Sequence, residues 1–209
     1  MLLDRIDANP NSVNQHGQTP LFAATREGHE RVVKTLLERV DVNPNTADKH
    51  GQTPLLVAAW KAHEGVVKML LDRNDVNPNA MSKHGQTPLF AAALEGHDRV
   101  VKTLLERADV DPNTADKYGQ TPLFVAAQDG HKRVVKTLLA QVGVNPDIMD
   151  PDGQTALSQA LERGHDDVVE LLSEHRSSTA LLNGNGHTAP SSPVLSYPNQ
   201  RPSKRPRKL

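Results

Sequence analysis

The sequence predicts an all-α repeat solenoid, and three observations favour this fold class. The phrase HGQTPLF at residues 16–22 returns with small changes, and its glycine recurs every 34 residues from Gly17 to Gly153. Each copy contains two short stretches with the apolar spacing of helices, separated by turn residues. Aromatic residues make up 3% of the 209 residues, which is lean for one large core. The units must therefore bury their apolar sides against one another.

The first 13 residues read as the end of a unit whose beginning is absent. LLDRIDANPNSV at 2–13 matches LLERVDVNPNTA at 36–47 closely. We therefore expect residues 1–13 to form a truncated half-repeat, made of the last turn of a second helix and its loop. Two explanations stay open: the chain is a fragment of a longer array, or this end frays.

Each complete unit is predicted to hold two helices, as the first one illustrates. Thr19 is a good N-cap, Pro20 suits the first helical position and Gly28 suits a helix end, which predicts a helix over roughly 20–27. A second helix is predicted over about 30–39, because VVKTLL at 32–37 places its apolar residues on one stripe.

Turn residues close each pair of helices and define the unit boundaries. The stretch DVNPNTADKHGQ at 41–52 is rich in Pro, Asn, Asp and Gly, which predicts a loop. One helix pair cannot bury its apolar stripe alone, so we expect neighbouring units to stack. The predicted units cover about 14–47, 48–81, 82–115, 116–149 and 150–175.

These units resemble the ankyrin repeat. The resemblance rests on Gly-x-Thr-Pro-Leu, small residues, Gly-His, Val-Val-x-x-Leu-Leu and Asp-Val-Asn, which recur four times with little change and once weakly. It implies an L-shaped unit of two antiparallel helices with an outward β-hairpin loop. Such units stack into a curved array, and the resemblance implies a binding face on its concave side.

The units also depart from the family's usual pattern. Each loop carries one residue more than the family's usual period of about 33 requires. Phe22 stands where the family usually has His, and Val40 stands where it commonly has Gly. We therefore expect apolar packing at the first helix and a different closure at the end of the second helix.

The C-terminal part of the chain changes character in two steps. The last unit, 150–175, carries the polar second helix HDDVVELLSEH, which suits a terminal cap. Residues 176–209 are rich in Ser, Pro, Asn and Gly, contain six basic residues and no acid, and leave 18 basic and 25 acidic residues in 1–175. We expect residues 176–209 to form a disordered basic tail.

Composition and motifs argue against several classes of protein. The chain has no Cys, which excludes disulfides and Cys-based zinc sites and suits a reducing compartment. It lacks an apolar run long enough to span a membrane, a signal peptide, a nucleophile turn and a glycine-rich phosphate loop. We predict an intracellular monomer, nuclear or cytoplasmic, that is not an enzyme, binds no membrane or specific nucleic acid, and needs no cofactor or metal.

Histidines recur too regularly to indicate a catalytic or metal site. Zinc holds its ligands at about 2 Å, whereas equivalent points on stacked helices lie about 8–10 Å apart, so three loop tips cannot share one ion without long reaches. A histidine at the start of every second helix favours a structural role, which the resemblance also implies. These residues are His29, His63, His97, His131 and His165, and the loop-tip histidines are His16, His50 and His84.

Positions that vary while the framework repeats are the candidates for binding. At the end of the first helix Trp60, the sole Trp, stands beside Leu94 of the next unit, where other units carry charged or amide groups. We predict that this pair anchors a protein partner, since buried aromatic anchors dominate many interfaces. The alternative is that Trp60 lies flat over its own helix pair. The predicted protein-binding residues are Arg26, Trp60, Lys61, Leu94, Glu95, Tyr118 and Gln128.

The basic cluster near the C-terminus predicts a nuclear-import signal. Lys204, Arg205, Arg207 and Lys208 fit the short cationic pattern that import receptors read, although such clusters also arise by chance in basic tails. Two other interpretations stay open: the tail lies on the acidic body, or it is solvated and has no role.

The sequence thus leads to one main hypothesis and two alternatives. The main one is a noncatalytic interaction module that binds one protein partner along the concave face. The first alternative is a fragment of a longer ankyrin-containing signalling protein or enzyme, which the opening half-unit favours. The second is a nuclear cofactor that its basic tail delivers to an import receptor.

Overall fold

The computed structural model describes residues 9–182, which form ten α-helices arranged as five pairs. The first helices of the pairs pack side by side, and the second helices pack side by side behind them. The first helices are α1 (Pro20–Arg26), α3 (Pro54–Trp60), α5 (Pro88–Leu94), α7 (Pro122–Gln128) and α9 (Ala156–Arg163). The second helices are α2 (Glu30–Leu37), α4 (Glu64–Leu71), α6 (Asp98–Leu105), α8 (Lys132–Leu139) and α10 (Asp166–Leu182).

The first helices begin at the residues that the sequence predicts. The Thr19 hydroxyl accepts a hydrogen bond from the Phe22 N–H at 3.1 Å, and Pro20 occupies the first turn. In α9, where Ala156 replaces the proline, Ser158 completes a capping box with Thr155. A serine there ties the helix start with a hydrogen bond, whereas Phe22 packs in the core.

Every unit repeats the same backbone turn before its first helix. The glycine of each Gly-x-Thr motif lies in the left-handed region, with φ of 75° at Gly51 and 80° at Gly85. A side chain is disfavoured there, because a Cβ on Gly51 would stand 2.9 Å from the backbone nitrogen of Lys83 in the next unit. One glycine therefore serves both the turn and the close approach between units.

The loops differ from the expected β-hairpins. Residues 9–182 contain no β-strand. Each loop closes as a hydrogen-bonded turn, in which the Asp48 N–H donates to the Gln52 carbonyl at 2.9 Å and the Asp48 carboxylate accepts from His50 and Gln52 amides. Because so few backbone hydrogen bonds join the two arms of a loop, each loop is a turn and not a β-ladder. Backbone hydrogen bonds join the first four of these turns to one another, such as that from the Lys49 N–H to the His16 carbonyl at 3.0 Å.

The core is a continuous apolar layer between the two rows of helices. In the second unit the whole predicted stripe is buried, because α4 packs between α2 and α6. In the first unit Val32 is 41% exposed, since among the described helices only α4 packs against α2 from the second row. Burial of the stripe therefore depends on having neighbours on both sides.

Histidines tie each unit to the one before it. The ring of His63 donates from Nε2 to the Arg26 carbonyl at 3.2 Å, and His97 donates likewise to the Trp60 carbonyl at 3.0 Å. His131 and His165 repeat the contact with the Leu94 and Gln128 carbonyls. These bonds satisfy carbonyl groups at the ends of the first helices, where helical partners run out.

Asparagines form a second set of hydrogen bonds between adjacent units, in the part of each loop that follows the second helix. The Asn45 side chain donates to the Asp75 carbonyl at 2.6 Å and accepts from the Asn77 N–H at 2.8 Å. Asn11 makes the same pair of bonds with Asp41 and Asn43. Residues 9–13 of the predicted half-repeat thus carry a loop of the standard kind, whereas residues 1–8 lie outside the described part of the chain.

Arginines close the second helices, which lack the glycine common in the family. Arg73 donates from Nη1 to the carbonyls of Leu37 and Arg39, at the end of the preceding α2, at 3.2 Å each. Its guanidinium also holds Asp75 in its own loop, with Nη2 2.6 Å from Oδ2. The predicted different closure is therefore a bridge that the following unit supplies.

The last helix extends past the boundary predicted between the last unit and the tail. Helix α10 continues to Leu182, seven residues into the segment from 176 onward that we expected to be disordered. Arg176 in this extension lies 3.4 Å from Asp147 of the loop before it. RSSTALL at 176–182 contains no Pro or Gly, so nothing in it stops the helix. The remaining predicted tail, 183–209, lies outside the described residues.

Candidate protein-binding site

The ends of α3 and α5 bring four of the predicted binding residues together. Trp60 is 40% exposed, and its indole Nε1 donates to the Glu95 carboxylate at 2.9 Å. The Lys61 ammonium lies 4.8 Å from the centre of the Trp60 ring, within cation–π range. Leu94 is half-buried and packs against the core. We call Trp60, Lys61, Leu94 and Glu95 the Trp60 cluster.

A concavity of about 160 Å³ lies beside this cluster. Its walls combine the apolar sides of Leu56 and Ala91 with the side chains of Gln52 and Gln86 from the loops. Ala91 occupies a position where the adjacent units carry the larger Val57 and Val125. The missing methyl groups leave room between units two and three.

Sequence reasoning missed the residues that shape this concavity. Gln52 and Gln86 belong to the Gly-Gln-Thr phrase that every unit repeats, so their recurrence concealed them. The signal that could have identified the site is the small Ala91 between Val57 and Val125 of the adjacent units, although the first unit also has the small Ala23 at this position. A small residue between two larger equivalents predicts a local hollow in a stacked array.

The other predicted residues lie apart from the cluster. The Arg26 guanidinium contacts Glu27 at 2.9 Å and Gln18 at 3.2 Å in the first unit, and this contact lowers the pKa of the Glu27 carboxyl. Gln128 donates to Gln159 of the last unit at 3.4 Å. Tyr118 is 64% exposed at a loop tip. They stand at equivalent or loop positions along the stack, and none of them lines the concavity.

Metal ligands and membrane-spanning helices were sought within residues 9–182. No three His, Asp or Glu side chains in this range lie close enough together to coordinate one ion. None of the helices in the same range has the length and apolar character that a membrane crossing requires. The four predicted import residues, Lys204, Arg205, Arg207 and Lys208, fall outside the described part of the chain.

Comparison with known families gives a clear result. A family model described as ankyrin repeats in three copies matches residues 1–82 and 74–150, and a model of a single ankyrin repeat matches residues 152–183. No curated protein matched the sequence at a significant level. Ankyrin repeats in general form protein–protein interaction modules and are typically noncatalytic. The matches span most of the sequence, and the chain therefore belongs to the ankyrin repeat family.

Proposed function

We propose that this chain is a noncatalytic module that binds one protein partner on the face formed by its first helices and loops, with Trp60 and Leu94 as anchors. The observation that carries the proposal is the half-exposed Trp60 ring beside a concavity that no side chain fills. Large aromatic residues at the rim of a pocket are the usual centres of binding energy in interfaces.

The contacts of Trp60 support a preformed anchor. Its indole N–H is held by Glu95 of the next unit, and Lys61 covers part of the ring. The side chain is thus ordered before binding, so little conformational entropy is lost when a partner covers it. The mixed charges of Lys61 and Glu95 form a polar rim around an apolar centre, which is the usual composition of an interface.

The test uses the fact that Trp60 is the sole tryptophan in the chain. A chain labelled with fluorotryptophan gives one fluorine NMR resonance, which reports on this site and ignores any tryptophan in the partner. Affinity capture with the unlabelled chain first supplies the partner. We expect the resonance to shift when the partner is added, and an unchanged resonance at saturating partner contradicts the proposal.

The Trp60→Ala variant measures how much the anchor contributes. Hot-spot residues cost about 2 kcal/mol or more when truncated, which corresponds to roughly thirtyfold weaker binding. A matched control is Lys68→Ala on the exposed side of α4, which should leave the affinity unchanged. Thermal unfolding followed by circular dichroism must show that the Trp60→Ala variant is folded. Equal affinity of the two variants counts against the anchor.

A second candidate function concerns the basic tail. Lys204, Arg205, Arg207 and Lys208 lie within five residues, in a segment that has no acid from 176 onward. We propose that this cluster is a nuclear-import signal read by an import receptor. A fusion with a bulky fluorescent tag, too large for passive entry, should accumulate in nuclei, and the same fusion with these four residues changed to Ala should not. Equal distributions of the two fusions contradict this role.

A further inference from the structure

A row of basic side chains runs along the loops beside the candidate site. Lys49, Lys83 and Lys117 occupy the same position in three successive loops, and all three are exposed. We call these three residues the loop lysines. His50 and His84 follow the first two of them and are exposed as well. The row is notable because residues 1–175 as a whole carry seven more acidic than basic residues, 25 against 18.

The acidic residues of these loops are used internally. The Asp48 carboxylate is 9% exposed and accepts hydrogen bonds from the His50 and Gln52 amides at 2.8 and 3.0 Å. Asp116 accepts from the Tyr118 and Gln120 amides in the same way. The loop between these two has the uncharged Ser82 at this position. The carboxylates close the turns, and the ammonium groups are left at the surface.

Within residues 9–182, no carboxylate forms an ion pair with the side chain of a loop lysine. The ion pairs found within residues 9–182 involve arginines and Lys132, and none of them includes a loop lysine. Exposed lysines are often solvated in this way. What distinguishes this row is its regular order rather than the exposure of any one member.

Backbone hydrogen bonds between the loops keep the row in register. The Lys49 N–H donates to the His16 carbonyl at 3.0 Å, and the Lys83 N–H donates to the His50 carbonyl at 2.9 Å. The Lys117 N–H bonds to the His84 carbonyl at 3.0 Å. The pattern ends in the last loop, where Pro151 has no N–H to donate. The three lysines therefore recur at the spacing of the stacked units.

That spacing matches one kind of extended peptide. Packed helices lie about 8–10 Å apart, which sets the distance between equivalent residues of adjacent units. A polyproline II helix has three residues per turn and a rise of about 3.1 Å, so every third side chain recurs on one side after about 9.3 Å. A flat β-strand repeats on one face after about 6.6 Å, and a duplex strand has a phosphate about every 3.4 Å, so both fit less well.

We propose that the loop lysines bind an acidic segment of a protein partner in the polyproline II conformation, with a carboxylate at every third residue. This inference deepens the proposed function and rests on it. Gln52 and Gln86, three residues after Lys49 and Lys83, line the concavity at Trp60. A segment that follows the loop lysines therefore passes beside the Trp60 cluster, where its neighbouring residues can enter.

The test compares two triple variants of the full chain. The first changes Lys49, Lys83 and Lys117 to Gln. The control changes three exposed lysines at one repeated position on the second helices of the first three units, namely Lys34, Lys68 and Lys102, also to Gln. Both variants lose the same charge and keep the basic tail, so the contribution of the tail to binding cancels in the comparison.

The probe is a fluorescent synthetic peptide with glutamate at every third position and proline, serine and alanine elsewhere. We expect the loop variant to bind it about tenfold more weakly than the wild type at low salt, as the loss of three exposed ion pairs predicts. The second-helix variant should bind like the wild type, and added salt should weaken wild-type binding. Equal binding by both variants overturns the proposal.

Two further probes test the spacing and the class of ligand. A peptide of the same composition with its glutamates in one block should bind more weakly than the spaced peptide, and equal affinity overturns the spacing argument.

A single-stranded oligonucleotide of equal charge should also bind more weakly, and tighter binding that the loop variant abolishes overturns the peptide assignment. The two peptides contain no aromatic residue, so their failure to bind leaves the fluorine NMR test of Trp60 standing as a separate result.

Discussion

One buried hydroxyl distinguishes the first unit from those that follow. Thr25 is fully buried, and no hydrogen-bond partner for its Oγ1 is found in the described part of the chain. The equivalent residues Ala59, Ala93 and Ala127 are buried without a polar atom. A buried polar group without a partner costs about 1–3 kcal/mol, so the first unit carries a local destabilisation that its neighbours avoid.

Replacing Thr25 by the alanine of the three middle units should stabilise the protein. We expect Thr25→Ala to raise the free energy of unfolding by about 1 kcal/mol, because it removes the unsatisfied hydroxyl and favours the helix. Urea denaturation measures the change. Thr35→Ala is the control, because Thr35 is exposed and its hydroxyl bonds to the Arg31 carbonyl at 2.9 Å. A loss of stability in Thr25→Ala contradicts the argument.

Histidines at one repeated position should differ in their contribution to stability according to their neighbours. His97 donates to the Trp60 carbonyl of the preceding unit at 3.0 Å, whereas His29 is exposed and makes no such bond within residues 9–182. We expect His97→Ala to cost about 1–3 kcal/mol, and His29→Ala to cost less than about 0.5 kcal/mol. Urea midpoints of the two variants give the comparison. Equal losses would show that the bond between units is not what the histidine contributes.

At the element scale, the sequence predicts the helices well and the contacts between units poorly. The predicted first helix at 20–27 ends one residue earlier in the structure, and the predicted second helix at 30–39 ends at Leu37. Caps and apolar stripes are formed by residues close together in the sequence, so the helices could be predicted from them. The bonds of Asn45 and Arg73 reach the adjacent unit, and the sequence shows them only as a turn residue and a surface charge.

Two expectations at this scale differ from the structure, each for its own physical reason. Composition suggested that order ends at residue 175, but α10 continues to Leu182 because no helix breaker intervenes. Family resemblance suggested β-hairpins, but too few backbone pairs form between the two arms of each loop. For the candidate site, the structure places Trp60 and Leu94 beside one hollow, and the small Ala91 that also lines this hollow was not part of the prediction.

The pairs that close the second helices predict a loss of stability in acid. Arg73 donates two hydrogen bonds to Asp75, which lowers the pKa of that carboxyl below its ordinary value, and Arg107 does the same for Asp109. A carboxyl whose pKa is lowered by folding stabilises the protein fully above its unfolded pKa of about 3.9. This contribution is lost as the pH falls through the lower pKa of the folded state.

The Asp75→Asn variant tests this dependence. The wild type should lose stability between pH 5 and pH 3, and the variant should lose less over the same range, because one of the linked carboxyls is gone. The difference should be small, since Asp75 is half-exposed and surface pairs contribute little. Urea midpoints at several pH values measure it, with Asp72→Asn as the control in the same unit. A variant with the full acid dependence of the wild type contradicts the assignment.

At the scale of the whole molecule, every unit packs against its neighbours and forms hydrogen bonds with them. The first helices pack along their own row and against their own second helix, and the histidine, asparagine and arginine ties all join adjacent units. The stability of such an array is approximately a sum over units and the interfaces between them. The same order gives the candidate site its shape, since the Trp60 cluster lies across the boundary between units two and three.

The most direct test of this account is to compare two deletions from the middle of the array by urea unfolding and circular dichroism. Removing residues 82–115 takes out one whole unit, so the account predicts a folded chain with unchanged helix content per residue and a lower urea midpoint. Removing only residues 82–98 breaks the period within a unit, so the account predicts loss of cooperative unfolding. If the whole-unit deletion fails to fold, or the partial deletion is equally stable, the stacked architecture is contradicted.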